Sequence, residues 1–165
     1  MVIIIFGVSG SGKTTIGKQL SQELNIPFFD ADDFHPQSNI EKMASGQALN
    51  DQDRYPWLVS LGKSLGEWPM KTGAIVACSA LKEKYRQILT SESKEPIIWV
   101  HLYGSEALIQ ERVEARKDHF MNPNLVRSQF ETLEIPDYGL HINVSLSPKV
   151  IIKTIVSNLS KLSHA

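Results

Sequence analysis

The sequence predicts an α/β fold, a three-layer αβα sandwich built on a five-stranded parallel sheet. Three observations carry that expectation. Val2-Ile3-Ile4-Ile5-Phe6, Ala74-Ile75-Val76-Ala77-Cys78 and Ile97-Ile98-Trp99-Val100-His101-Leu102 are nearly continuous apolar runs, the pattern of strands buried on both faces of a parallel sheet. Segments with helical spacing separate them, so that strand and helix alternate. The first run leads into Gly7-Val8-Ser9-Gly10-Ser11-Gly12-Lys13-Thr14, which matches the phosphate-binding loop G-x-x-x-x-G-K-[ST] without a mismatch.

The chemistry of that loop asks for these residue types. Its glycines allow turns that a Cβ would oppose, so that backbone N–H groups converge on phosphate oxygens. Lys13 supplies a cation for the β- and γ-phosphates, and the Thr14 hydroxyl can ligate Mg²⁺. Ile16, Leu20 and Leu24 then recur at helical spacing, and the start of that helix adds its dipole to the anion site. Gly7, Val8, Ser9, Gly10, Ser11, Gly12, Lys13, Thr14 and Thr15 are therefore the expected nucleotide-binding stretch, with ATP and Mg²⁺ as the expected ligands.

Composition narrows the partners. A chain of 165 residues fits one domain with a real core. A formal net charge of −1 gives no reason to expect nucleic acid or an anionic membrane as partner. The single cysteine, Cys78, rules out an internal disulfide and suits a reducing cytosol. The first apolar run is too short to span a membrane, and no signal peptide is expected.

Ile26-Pro27-Phe28-Phe29 reads as a short second strand leading into Asp30-Ala31-Asp32-Asp33-Phe34-His35-Pro36. If the extended geometry continues, Asp30 and Asp32 leave the strand on the same side while Asp33 points away. Ligands of open α/β sheets gather outside the carboxyl ends of strands. Asp30 is thus a candidate near Mg²⁺, and Asp32 a candidate to accept a proton from a substrate hydroxyl.

Asn39 to Met43 reads as a short helix ended by Gly46. Leu49 to Trp57 crowds charge ahead of a helix in which Pro56 is expected in the first turn. Trp57, Leu58, Leu61, Leu65 and Trp68 repeat at helical spacing and are expected in the core. Arg54, at that helix entrance, can grip a carboxylate bidentately; the alternative is a surface ion pair with a neighbouring aspartate. The third strand ends in Cys78 rather than an aspartate, which strengthens Asp30 as the metal-side acid.

After the fourth strand, Ser105 can cap a helix on which Arg112 and Arg116 share a face at i, i+4. The polar segment Lys117 to Pro123 breaks the pattern and reads as a lid, spanning roughly residues 116–128, that closes over ATP. Asn124 to Glu134 returns as a helix, and His141 to Ser145 is a fifth strand. Ser147-Pro148 opens a last helix whose Ile151, Ile152, Ile155, Leu159 and Leu162 face the core.

Together these stretches resemble the gluconokinase family of small carbohydrate kinases, within the shikimate-kinase-like and nucleoside-monophosphate-kinase-like phosphate-loop group. The likeness rests on Gly7 to Thr14, Asp30 to Pro36, Asn39 to Met43, Leu49 to Leu58, Cys78 to Arg86, and Arg112 to Glu134 with its Ser128-Gln129-Phe130-Glu131-Thr132-Leu133-Glu134. It covers nearly the whole chain, as a single domain with a helical substrate-binding region over about residues 36–70. Ala48 and Thr90 depart from the family pattern, where proline and arginine are common.

The resemblance implies ATP-dependent phosphorylation of D-gluconate to 6-phosphogluconate by a cytoplasmic, usually dimeric enzyme. It implies substrate-side roles for Asp32, His35 and Arg54 and adds Lys42 and Arg86 to them. It also implies lid and nucleotide roles for Arg112 and Arg116, and makes Lys13, Asp32 and Arg116 the catalytic set with Thr14 and Asp30 at the metal. A shikimate kinase, another small-metabolite kinase, or a catalytically inactive ATP-binding regulatory module are the alternative functions. Against the first stands Cys78-Ser79-Ala80, where a shikimate kinase would carry a glycine triplet.

Overall fold

The computed structural model describes residues 1–68, 72–116 and 123–162. Residues 117–122, the centre of the expected lid, lie outside the described residues, as does the side chain of Leu162. The described elements are β1 (Val2–Phe6), α1 (Lys13–Leu24), β2 (Phe28–Asp30), a 3₁₀ turn (Ala31–Phe34), α2 (Gln37–Ala44), α3 (Asp51–Glu67), β3 (Ala74–Cys78), α4 (Glu83–Glu92), β4 (Ile97–Tyr103), α5 (Glu106–Ala115), α6 (Pro123–Thr132), β5 (Leu140–Asn143) and α7 (Pro148–Leu162).

The five strands form one parallel sheet in the order β2-β3-β1-β4-β5. β1 is central, with Ile4 paired to Val76 on one side and to Trp99 on the other. Successive side chains of a strand leave opposite faces, and each face of this sheet has its own core. Ile3 and Ile5 pack with Ile16 and Leu20 of α1, Ile109 and Val113 of α5, Val126 of α6 and Ile151 and Ile155 of α7. Val2, Ile4 and Phe6 pack instead with Trp57, Leu58, Leu61 and Leu65 of α3 and Tyr85 and Leu89 of α4. The expected three layers are present; Trp57 of α3 is buried in the core as anticipated, and Trp68, just past the helix, packs against it partly buried.

Two local expectations change. Pro56 is not in the first turn of its helix. Asn50 and Asp53 form a reciprocal capping box, each side chain accepting from the other's backbone N–H, and this starts α3 at Asp51 and leaves Pro56 inside the helix. Arg116 is not on the face of α5 either. The helix ends at Ala115, and Arg116 is its extended C-cap at φ −80°, ψ 105°.

Arg86 decides how α4 meets the rest of the fold. It is 1% exposed, and its guanidinium donates to Glu83 at 2.8 Å, to the carbonyls of Ala80 and Glu134 at 2.7 Å each, to that of Leu81 at 3.2 Å and to the Tyr138 hydroxyl at 3.1 Å. It also lies over the Phe6 ring, 5.1 Å from the centroid. One side chain thereby ties the loop after β3, the start of α4 and the segment after α6 to the central strand. Arg86→Leu would leave the Ala80 and Glu134 carbonyls and the Glu83 carboxylate without this donor and should destabilise the fold by about 3–5 kcal/mol. Urea unfolding at neutral pH measures this directly.

Candidate active site

The site is built where β1 and β2 end. Gly10 and Gly12 adopt φ of 82° and 91°, left-handed values that glycine takes without strain. At Gly10 a Cβ would come within 2.6 Å of Val113 Cγ2, so the loop is packed tightly onto α5 there. At Gly12 a Cβ would meet nothing within 4 Å. The Ser11 hydroxyl is buried with no hydrogen-bond partner among the described residues. An open cradle above glycine and a buried unpaired hydroxyl, at the start of α1, fit a phosphate group. Lys13 curls back, its Nζ donating to the Val8 carbonyl at 3.0 Å, and the Ser11 N–H donates to the same oxygen at 3.2 Å.

Thr14 and Asp30 meet. The Thr14 hydroxyl donates to Asp30 Oδ2 at 3.1 Å, while Asp30 Oδ1 accepts from the Asp32 N–H at 3.0 Å. A hydroxyl and a carboxylate side by side at a phosphate loop are hard oxygen donors of the kind Mg²⁺ takes, so these two residues fit that metal.

Asp32 reaches the same area by a different route from the one expected. β2 stops at Asp30, and Ala31–Phe34 turn as a 3₁₀ segment capped by the Asp30 side chain. The alternation of a strand therefore does not place Asp32; the Asp30 cap does. Burial and the neighbouring Asp30 hold the Asp32 carboxyl above its ordinary value, against the pull of Lys13 and Arg54. Burial lowers Lys13, with Asp32 the largest opposing influence and Arg116 adding to the lowering. Asp30, Arg54 and Arg116 thus lie near enough to Lys13 or Asp32 to act on their charge.

His35 is packed, not free. It stacks on Trp57, ring centroids 4.0 Å apart, and Trp57 is held by a 2.9 Å hydrogen bond to the Ala31 carbonyl. The Asn39 amide lies 3.2 Å from His35 Nδ1 and also donates to the Asp53 carbonyl at 2.9 Å. An amide NH₂ can only donate, so Nδ1 accepts and the proton of neutral His35 sits on Nε2. That nitrogen faces Asp32 Oδ1 at 3.8 Å. Asn39, one helical turn after His35, was not singled out from the sequence; its i, i+4 spacing was the available signal.

Two of the expected substrate-side cations part company. Lys42 donates to Asp53 at 2.6 Å and so fastens α2 to the start of α3. Asp53 Oδ2 accepts from both Lys42 and the Asn50 N–H, and the surface pair open to Arg54 does not form. Arg54 instead lies over the Tyr85 ring, 5.6 Å from its centroid, with no carboxylate partner among the described residues. Tyr85 is fixed in turn by a 2.5 Å hydrogen bond to Asp51, which also binds Lys82 and Lys84. Arg86 is committed to the protein as described above and is not brought to the cleft as a free cation. Arg112 donates to the Val144 carbonyl at 2.6 Å, joining α5 to the loop after β5. Cys78 is buried, its thiol pushed up to about 12, and it is chemically quiet.

Residues 9–138 match the family described as shikimate kinase. A gluconokinase of Arabidopsis thaliana is 41% identical, across 94% of this chain and 90% of the relative. A crystal structure of a gluconokinase from Sinorhizobium meliloti 1021 superposes with a TM-score of 0.89 at 36% identity, over 99% of this chain and 93% of that one. The chain belongs to the gluconokinase family. A shikimate kinase of Aquifex aeolicus vf5 superposes with a TM-score of 0.60 at 19% identity, covering 100% and 99% of the two chains, a likeness of fold. The gluconokinase relationship extends over the stretches that build the site, including Asp30 to Pro36 and Leu49 to Leu58.

Two histidines make the folded chain acid-sensitive. Burial, with Arg54 nearby, pushes His35 down to about 4, and burial with His141 and Arg86 does the same to His101. The unfolded chain binds protons on both near 6.5, so between about 4 and 6.5 it holds more protons than the folded one and stability falls as pH drops. For the deeply packed His35 the loss between pH 7.5 and 4.5 should be about 2 kcal/mol. Denaturant unfolding at both pH values, in wild type and His35→Gln, should show a smaller drop in the variant.

Proposed function

We propose that the chain catalyses ATP-dependent phosphorylation of D-gluconate on its terminal hydroxyl, giving 6-phosphogluconate. The observation that carries the reading is Arg54: a guanidinium with no carboxylate partner among the described residues, near enough to Asp32 to act on its charge. A sugar acid offers both groups this arrangement lacks, a carboxylate for Arg54 and a hydroxyl for Asp32. The gluconokinase names of the relatives and of the neighbouring structure support that choice over shikimate, as does Cys78-Ser79-Ala80 in place of a glycine triplet.

In this reading the loop amides from Gly7 to Thr15 and Lys13 hold the phosphates of ATP, and Arg112 and Arg116 serve the nucleotide side. Thr14 and Asp30 would hold Mg²⁺, which supplies charge neutralisation on the phosphates when bound. Asp32 accepts the proton of the sugar hydroxyl as that oxygen attacks. His35, its Nε2–H toward Asp32, orients the carboxylate. Arg54 grips the far carboxylate and fixes which end of the sugar acid faces ATP. The raised Asp32 carboxyl is suited to this task, since a stronger base takes the proton more readily. Lys42 and Arg86 act indirectly, by holding α2, α3 and α4 in place. Arg116, felt at Lys13, balances charge on the transferred group. The proposal includes the lid around 116–128, a cytoplasmic homodimer and no nucleic-acid partner; among the described residues no helix is long and apolar enough to cross a membrane.

The decisive test is ADP release across gluconate, other aldonates, shikimate and nucleoside monophosphates. Gluconate should be the best acceptor by a wide margin; preference for shikimate, or no acceptor-dependent release, overturns the reading. Within it, Asp32→Asn should lower kcat by about 10²–10⁴ with ATP affinity near wild type. Asp30→Asn should instead show its main defect in the Mg²⁺ dependence.

Arg54→Ala should raise the gluconate KM by the equivalent of about 1.5–3 kcal/mol, as for a lost charge-assisted hydrogen bond, while the KM for ATP stays the same. An unchanged gluconate KM would move the carboxylate site away from Arg54.

A further inference from the structure

One contact at the phosphate loop comes from far along the chain. Gln129, on α6, faces Ser9 with both ends of its carboxamide. Its Oε1 accepts from the Ser9 N–H at 2.6 Å, and its Nε2 donates to the Ser9 hydroxyl at 3.0 Å. Both polar groups of Ser9 that could turn toward a ligand are thus held by one side chain, 120 residues away in sequence.

The place of Ser9 in the loop gives the contact its meaning. Lys13 is the residue of this motif that reaches the β- and γ-phosphates, and here its Nζ lies on the Val8 carbonyl. The Val8–Ser9 end of the loop is therefore the end next to the terminal phosphate, while the amides at the start of α1 serve the inner ones. Gln129 holds the outer end. A carboxamide does this without placing charge beside the phosphates; a glutamate in its place would set a carboxylate there.

The same segment is anchored on its other side. The Glu134 N–H donates to the Leu81 carbonyl at 2.9 Å, the Glu134 carboxylate accepts from the Glu83 N–H at 2.8 Å, and the Glu134 carbonyl accepts from Arg86. Gln129 to Glu134 is thus a strut between the outer end of the loop and the start of α4, the helix that carries Tyr85 beneath Arg54. We propose that Gln129 is a positioning residue: it fixes Ser9 and so sets where the terminal phosphoryl group of ATP stands relative to the acceptor hydroxyl. The inference deepens the kinase reading and adds a residue that acts through Ser9 rather than on the substrate.

ATP and ADP differ only at the end of the nucleotide that Gln129 controls, and their binding can be compared without any sugar acid. Gln129→Met keeps the length of the side chain and removes both hydrogen bonds; Gln129→Glu keeps the acceptor for the Ser9 N–H and adds charge. Calorimetric titration with ATP-Mg²⁺ and ADP-Mg²⁺ should show both variants losing ATP affinity by about tenfold or more while ADP affinity stays within twofold, with Gln129→Glu the more selective against ATP. Turnover of Gln129→Met should fall about 10- to 100-fold, as expected for a misplaced reacting group, with the gluconate KM unchanged. A lower melting temperature with an unchanged ATP-to-ADP affinity ratio and unchanged kcat would make Gln129 a brace of the fold only and overturn the proposal. If Gln129→Met fails to fold, the ratio in Gln129→Glu, which retains the backbone contact, decides. Should wild-type protein bind both nucleotides yet phosphorylate another acceptor, the sugar-acid reading fails while the affinity ratio still tests Gln129.

Discussion

Burial of β1 on both faces is the constraint from which the remaining architecture follows. Five consecutive apolar side chains cannot be covered by one layer, so Ile3 and Ile5 require helices on one side and Val2, Ile4 and Phe6 require them on the other. A strand enclosed in this way needs both of its edges paired, and β3 and β4 supply that. Its carboxyl end then opens toward the loop that precedes α1. The glycine loop emerges there because a chain leaving a central strand for a helix on the sheet face has to turn sharply, and the turn presents N–H groups outward.

Around that opening, ion pairing decides which cations remain available. Asp53 has two nearby suitors, Lys42 and Arg54, and the capping box holds its carboxylate toward Lys42. Arg54 is left with an aromatic ring in place of an acid, a weaker partner that orients the guanidinium and leaves its N–H groups to a ligand. Arg86 meets the opposite fate, surrounded by carbonyl oxygens at the turn after β3. Two arginines 32 positions apart on packed helices thus separate into a free cation and a structural clamp through their acceptors alone.

What could be read in advance was whatever depends on neighbours in sequence. The strands, the phosphate loop, the apolar faces of α3 and α7 and the proximity of Asp30 to the metal-side threonine follow from periodicity and a contiguous motif. The places where such reading fell short are governed by local competition or by distant partners. Extended alternation did not carry Asp32 into the site, because the Asp30 carboxylate captures the next turn and tightens it to 3₁₀. Pro56 lies deeper in its helix than its chemistry suggested, because a capping box upstream fixes an earlier start. Arg86 looked like a substrate group by resemblance, and only the carbonyls of Ala80, Leu81 and Glu134 reveal otherwise. Gln129 entered only as one member of the Ser128 to Glu134 stretch that carries the resemblance; its contact with Ser9 exists only once α6 is folded against the loop.

The charges of the cleft also couple to one another in a way that suits phosphoryl transfer. The Asp30 carboxylate opposes ionisation of Asp32, and this repulsion is part of what raises Asp32. On the proposed mechanism, a divalent cation held by Thr14 and Asp30 would offset that repulsion and favour the ionised form of Asp32. Lys13 responds in the opposite sense, since burial disfavours its charge and phosphate oxygens restore it. On the proposed mechanism, each ligand would bring the protein group that awaits it toward the protonation state the chemistry needs: a charged lysine on the phosphates and an ionised aspartate at the hydroxyl. The contacts among Thr14, Asp30 and Asp32 would then be the physical origin of a linkage between metal, nucleotide and base.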